Sequence, residues 1–391
     1  MQIFYFNPDN EMAIANGSSH YMPPANIRKM AEDLAFLPAY FTGDGDGVIV
    51  TNDFPAEFAE KQRELFGISP ELCTFNKLPP NSDYRLEAWG VSPRLDSLFG
   101  QSLWKEEFRD LVSRKTAKTC LERLVEIFPE LETKIIPDIV YSIEELECIL
   151  IKSEQGVVVK SPWSSSGKGQ LRLTNSYISS KEQEWLQGVL NKQGYFMVEP
   201  LLDKILDFAM QFRCESRSVV SYKGYSSYIT DSSGKYKGNY VCSQAAFENK
   251  ITAYISAGFL EEIRHALVDI LSELFTSYKG YLGVDMMIYR DLQGKYRLQP
   301  CVEINVRYNM GLLSSAIYNR LVAPTSSGFF SIDFHSQRGE ALKIHNNKLN
   351  AHPLEMKNGR IVSGYTNLTP VNETTSFVVS ICIQDVSFPM L

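Results

Sequence analysis

The chain has 391 residues, with 39 basic and 46 acidic side chains, a formal net charge of −7 and 44% hydrophobic residues. That length exceeds one small core and predicts two or three domains, in a composition typical of globular proteins. The acidic balance argues against nonspecific nucleic-acid binding, which needs a basic surface.

The opening residues MQIFYFNPDNE lack the basic segment and apolar run of a secretory signal, and no stretch reaches the roughly 18 to 20 apolar residues of a membrane span. Seven dispersed cysteines without CxxC spacing predict reduced thiols in a cytoplasmic protein and speak against a zinc site. The five histidines are equally scattered.

Gln2 to Phe6 reads as a short strand ending in the turn cluster Asn7-Pro8-Asp9-Asn10. A helical pattern over Ile27, Met30, Leu34 and Leu37 follows, then a strand at Gly47 to Thr51 and a helix at Pro55 to Phe66. This alternation predicts a small parallel α/β domain. Ligands of such sheets lie beyond the strands' carboxyl ends, so Asn7, Asp9, Asn10 and Glu11 form a candidate rim, with loop polarity and helix capping as the alternative. The Trp89-Gly90 segment, Arg85 to Phe99, either packs against the next domain or lines a substrate pocket.

Leu103 to Phe128 is helical in pattern, interrupted by the basic stretch Ser113 to Lys118. A strand at Ile135 to Val140 and a helix at Ser142 to Ile151 come next. GVVVK (Gly156 to Lys160) and Gln170 to Thr174 are paired strands around the loop SPWSSSGKG, whose small residues let backbone amides point into an anion-binding concavity. The loop is not a Walker A sequence: Pro162 replaces the first glycine and Gly169 follows the Gly-Lys pair. A lid between two antiparallel strands fits it better.

Tyr195 to Val198 runs into Glu199-Pro200-Leu201-Leu202, an extended connection whose backbone groups are expected to be unpaired and able to meet the edge of an adenine. Strands at Phe208 to Arg213 and Ser218 to Thr230 precede an amphipathic helix, Leu260 to Tyr278.

Tyr281 to Arg290 and Tyr296 to Arg307 alternate at period two around the turn residues Asp291, Gln293 and Gly294, which predicts an antiparallel hairpin. Symmetric pairing sets Asp285 opposite Cys301 and diagonal to Glu303, roughly 7 to 8 Å away. Asp285, Glu303 and Asn305 then share a face, a set of hard oxygen donors suited to Mg²⁺, with Arg307 beside them for phosphate charge. A helix to about Leu321 follows, and the β-rich residues Arg360 to Gln384 are expected to form an appended sheet or edge.

The order of these pieces, GVVVK strand, Ser/Gly lid, FMVEPLL, long helix, GYLGVDMMI and VEINVRYNMG, resembles the ATP-grasp superfamily across roughly Ser113 to Leu321. The resemblance implies an α/β (α+β) ATP-grasp fold behind an N-terminal α/β domain. Its divisions are 1–110, a lid subdomain 111–195, a C-terminal subdomain 196–345 and a β-rich extension 346–391. It implies ATP and Mg²⁺, with Mn²⁺ as a substitute, and a small-molecule carboxylate and amine as substrates. Lys160 would meet the α and β phosphates; Ser164, Ser165, Ser166, Gly167 and Gly169 would close over the triphosphate, with Lys168 assisting. Glu199 and the backbone at Leu201 would receive adenine and Asp207 the ribose, with Asp203 competing. Asp285, Glu303 and Asn305 would hold the metal, Arg307 would stabilise the transferred phosphoryl group, and either Arg114 or Lys115 would supply a further cation. The implied reaction forms an acylphosphate that an amine attacks, releasing ADP and phosphate. A kinase on the same fold and a nonturning ATP-binding sensor or assembly protein are the alternatives. Val306, where relatives often carry proline, and the following Tyr-Asn-Met-Gly depart from the usual pattern and touch the acceptor side.

Overall fold

The computed structural model describes residues 1–384 except 81–82, 165–168, 176, 217, 232–233 and 235. Its first sheet is parallel, in the order Glu71–Cys73, Gly47–Ile49, Gln2–Tyr5, Arg85–Ala88. The chain builds outward on one side of Gln2–Tyr5 and then crosses to the other, so a crevice opens beyond Tyr5 and Ala88. Asn7 closes its base: Asn7 Nδ2 donates to Gly90 O at 2.7 Å and Gly90 N donates back to Asn7 Oδ1 at 3.1 Å. Asn7 is therefore a structural clamp, and Asp9 is taken up by Arg94 at 3.2 Å.

A second sheet, antiparallel, runs Asp138–Val140, Phe196–Pro200, Val157–Lys160, Gln170–Leu173. Val157 and Val159 pack with Leu146, Leu150, Leu186 and Val189 of the helices Ile143–Lys152 and Ser180–Gln193. Period-two alternation then turns Val158 and Lys160 to the uncovered face. Glu199 lies directly across from Val158 and shares that face.

The third sheet has nine antiparallel strands, ordered Tyr296–Asn305, Gly280–Arg290, Asp203–Ser216, Val219–Thr230, Tyr236–Val241, Gly328–Phe334, Phe377–Ile383, Arg360–Asn367, Glu355–Lys357. Helix Ala257–Leu274 buries Leu260, Ile263, Leu267 and Leu271 among Phe208, Phe212, Leu282 and Val284, as its apolar stripe predicts. Helix Met310–Leu321 places Leu313, Ile317 and Leu321 in one cluster with Phe4 and Phe36 of the parallel domain and Phe330 and Ile381 of the large sheet. That shared core fixes the first domain against the third sheet.

Three expectations change. The hairpin has the predicted pairing near its turn, with Arg290 opposite Tyr296 and Met287 opposite Gln299, but Asp285 faces Glu303, not Cys301. Between those pairs the second strand uses two more residues than the first, at Pro300, which has no N–H for the ladder. A shift of two preserves the faces and turns a diagonal neighbour into a direct one. Second, the segment around Phe377–Ile383 is no appendage or edge, because this strand lies between Gly328–Phe334 and Arg360–Asn367. Third, Leu201 is partnered: its N–H donates to Gly156 O at 3.0 Å.

Candidate active site

The uncovered face of the second sheet, the hairpin face of the large sheet and the crevice of the parallel sheet border one cleft of about 950 Å³. Asp285 and Glu303 sit directly across the hairpin, and Asn305 Nδ2 donates to Asp285 Oδ2 at 3.0 Å. Burial, and then the neighbouring Glu303 charge, push the Asp285 carboxyl up to about 8, against the pull of the Asn305 hydrogen bond and Arg307. Two crowded carboxylates held this way gain from a cation between them. Among the described residues, no group of three or more His, Cys, Asp or Glu side chains is placed to hold a metal. The donor set here, two carboxylates and an amide, is of the oxygen type that suits Mg²⁺ rather than Zn²⁺. Asn305 Oδ1 accepts from Arg307 Nη2 at 2.9 Å, so offering that oxygen to a cation means releasing the arginine.

Arg114 is the basic residue that the helix Arg114–Ile127 brings in. Ser113 Oγ caps this helix by accepting from Lys115 N at 3.2 Å. The Arg114 guanidinium pairs with Glu303 at 2.9 Å and donates through Nε to Ser161 O at 3.0 Å and through Nη2 to Ser164 Oγ at 3.2 Å. Its Nη1 is buried with no hydrogen-bond partner, a donor available to an anion in the cleft. Lys115 goes elsewhere: its ammonium lies 4.1 Å from the centre of the Tyr195 ring and does not line the cleft.

Lys160 Nζ reaches Glu199 Oε2 at 2.5 Å, both side chains nearly buried. Asp207 pairs with Lys204 and accepts from Thr230 Oγ1 at 3.4 Å, its carboxyl raised by burial against the lysine's pull. Asp203, at the same end, is bound by Arg290 through Nε at 2.9 Å and Nη2 at 2.8 Å. Leu201, Ser164 and Gly169 line the cleft too, and Ser161 N donates to Gly169 O at 2.8 Å. Ser165, Ser166, Gly167 and Lys168 lie outside the described residues.

Arg307 joins its own segment to the parallel domain. Its Nε donates to Glu11 Oε1 at 2.9 Å, its Nη1 to Tyr308 O at 3.2 Å and its Nη2 to Asn305. Glu11 comes from the parallel domain and leaves Oε2 buried and unpartnered. Sequence reasoning placed Glu11 on a rim without seeing this contact, and it missed a buried amide cluster altogether. In that cluster Asn309 Nδ2 donates to Gln211 Oε1 at 2.8 Å and Gln211 Nε2 to Ser226 Oγ at 3.0 Å, under the same cleft. The signal was present: Gln211 is the polar residue in the apolar run Phe208-Ala209-Met210-Gln211-Phe212. Trp89 meets Phe6 edge-on and packs at a tilt against Tyr308 of the next domain, and it also lines the cleft.

Compared with known proteins, the chain matches no family model and no curated protein sequence. Solved structures do match. Biotin carboxylase from Campylobacter jejuni, in a β,γ-ATP complex, aligns over 98% of this chain and 87% of its own, at 10% identity and a TM-score of 0.50. Rhizobium etli pyruvate carboxylase aligns over 97% of this chain and 35% of its own, at 11% identity and a TM-score of 0.54. At such identities the likeness is one of fold.

Proposed function

Because the chain carries the ATP-grasp fold, we propose that it is an ATP- and Mg²⁺-dependent ligase that activates a small carboxylate as an acylphosphate and joins it to an amine. The observation that carries this reading is the convergence of Lys160, Arg114, the Asp285–Glu303–Asn305 group and Arg307 on one cleft. The biotin carboxylase that shares the fold was crystallised with a β,γ-ATP ligand.

Glu199 and Leu201 would receive the adenine and Asp207 the ribose, with Lys160 and Arg114 left to meet the triphosphate. Asp285, Glu303 and Asn305 would hold Mg²⁺, which when bound neutralises phosphate charge and orients the γ-phosphoryl group. The buried, unpartnered Arg114 Nη1 and the Arg307 guanidinium are fixed donors where charge spreads during phosphoryl transfer. The paired strands Val157–Lys160 and Gln170–Leu173 contribute Val158, Lys160, Gln170 and Arg172 to the cleft lining and would limit water at the acylphosphate. Lys168 is assigned to the same closure from its place in the loop.

The test is nucleotide product analysis with panels of carboxylates and amines. ADP and phosphate release that requires both co-substrates is the expected result. AMP and pyrophosphate as products, or turnover unchanged in Glu303→Gln, would overturn it.

A further inference from the structure

We propose that Glu11 is the receptor for the incoming amine, and that the amine carries an apolar substituent. This rests on the ligase reading above and names its nucleophile. A carboxylate placed only to hold an arginine ordinarily takes a two-bond fork. Here Arg307 commits Nη1 to Tyr308 O and Nη2 to Asn305, so Nε alone serves Glu11. The leftover Oε2 is buried, unpartnered and part of a side chain only 7% exposed that lines the cleft. An acceptor-only oxygen in that position calls for a cationic or N–H donor from a ligand.

Part of the lining of the same cleft is apolar. Ile27 and Met30 share one face of helix Ala25–Asp33, and Ile332, Phe334 and Phe377 come from two paired strands of the large sheet. The Phe334 and Phe377 rings meet at a tilt of 43° with centres 4.9 Å apart, and Phe334 is left 59% exposed. An aliphatic or aromatic substituent would cover them, with methionine adapting to its shape.

The chemistry balances. A bound ammonium gives one proton to Glu11 Oε2, and the neutral nitrogen attacks the acyl carbon. The C–N bond forms as the acyl C–O bond breaks, and the departing phosphate takes the electron pair and the second nitrogen proton.

The experiment is calorimetric titration of the full chain, saturated with ADP and Mg²⁺, with butylamine, hexylamine, octylamine and octanoate. Amine affinity should rise by about four-fold per methylene, the factor for burying one CH₂ group, while octanoate binds at least ten-fold more weakly than octylamine. Glu11→Gln, whose amide oxygen still accepts from Arg307, should weaken octylamine at least ten-fold, and Met30→Asp should flatten the chain-length series. Absence of octylamine binding, equal binding of octanoate, no dependence on chain length, or wild-type affinity in Glu11→Gln would overturn the inference. Failure of ADP with Mg²⁺ to bind is a separate outcome that overturns the nucleotide reading on which it rests.

Discussion

Replacing Asp285 by asparagine should stabilise the metal-free protein at alkaline pH and leave it unchanged in acid. The folded carboxyl titrates at about 8 against an ordinary 3.8. Between those values the folded chain holds a proton that the unfolded chain does not, so stability that is complete below about pH 4 is lost as pH rises through 8. At about 1.36 kcal/mol per pH unit, the ceiling is about 5 to 6 kcal/mol. The side chain faces an open cleft where water screens its neighbours, which brings the working figure to about 2 to 3 kcal/mol. With an unfolding entropy of roughly 0.8 kcal/mol/K for a chain of this length, that is about 3 °C in Tm. The assay is thermal melting in chelator at pH 4 and pH 8.5, repeated with Mg²⁺. Wild type and Asp285→Asn should melt together at pH 4, and the variant should lead by about 3 °C at pH 8.5. Mg²⁺ should then raise wild type and not the variant. A variant that melts no higher than wild type at pH 8.5, or an equal Mg²⁺ gain in both, refutes the reasoning.

Two further outcomes follow from buried groups. Burial pushes the His345 ring down to about 4, and its Nδ1 lies 3.1 Å from Tyr365 Oη. Between that value and an ordinary 6.5 the ring is neutral when folded and protonated when unfolded, so stability present above about pH 6.5 is lost as pH falls toward 4, by up to about 3 kcal/mol; His345→Gln should flatten Tm over that window. At Gly311 an added Cβ would lie 2.3 Å from Ser226 Oγ and 2.6 Å from Gln211 Nε2. Gly311→Ala should therefore cost about 2 to 3 kcal/mol in urea unfolding by breaking the amide cluster, and Ser226→Ala in the same chain should recover part of it.

What the sequence made legible is what repeats along the chain. Alternation in Tyr281–Arg290 and Tyr296–Asn305 put Asp285, Glu303 and Asn305 on one face before any coordinates, and that placement survives. The register did not, because a proline without an N–H inserts two residues and no periodic pattern records it. Arg114 and Lys115 are adjacent on a helix, pointing roughly 100° apart, and the Ser113 cap and the packing beyond it decide which one enters the cleft. The Arg307–Glu11 bond joins residues 296 positions apart, and nothing local encodes it. Phe377–Ile383 misled for a different reason: Val378, Val379, Ile381 and Ile383 are all buried, the mark of a strand covered on both faces.

The placement of that strand has a consequence for how the protein is made. Asp33 Oδ2, on an early helix, accepts from Ser376 N at 2.9 Å and Phe377 N at 3.0 Å, and Tyr40 Oη donates to Leu368 O at 2.9 Å. A nascent chain halted before Phe377 would carry two strands with bare edges and half of an aromatic wall. Such a product would display open backbone to other chains and to proteases until the segment around Phe377 paired into the sheet.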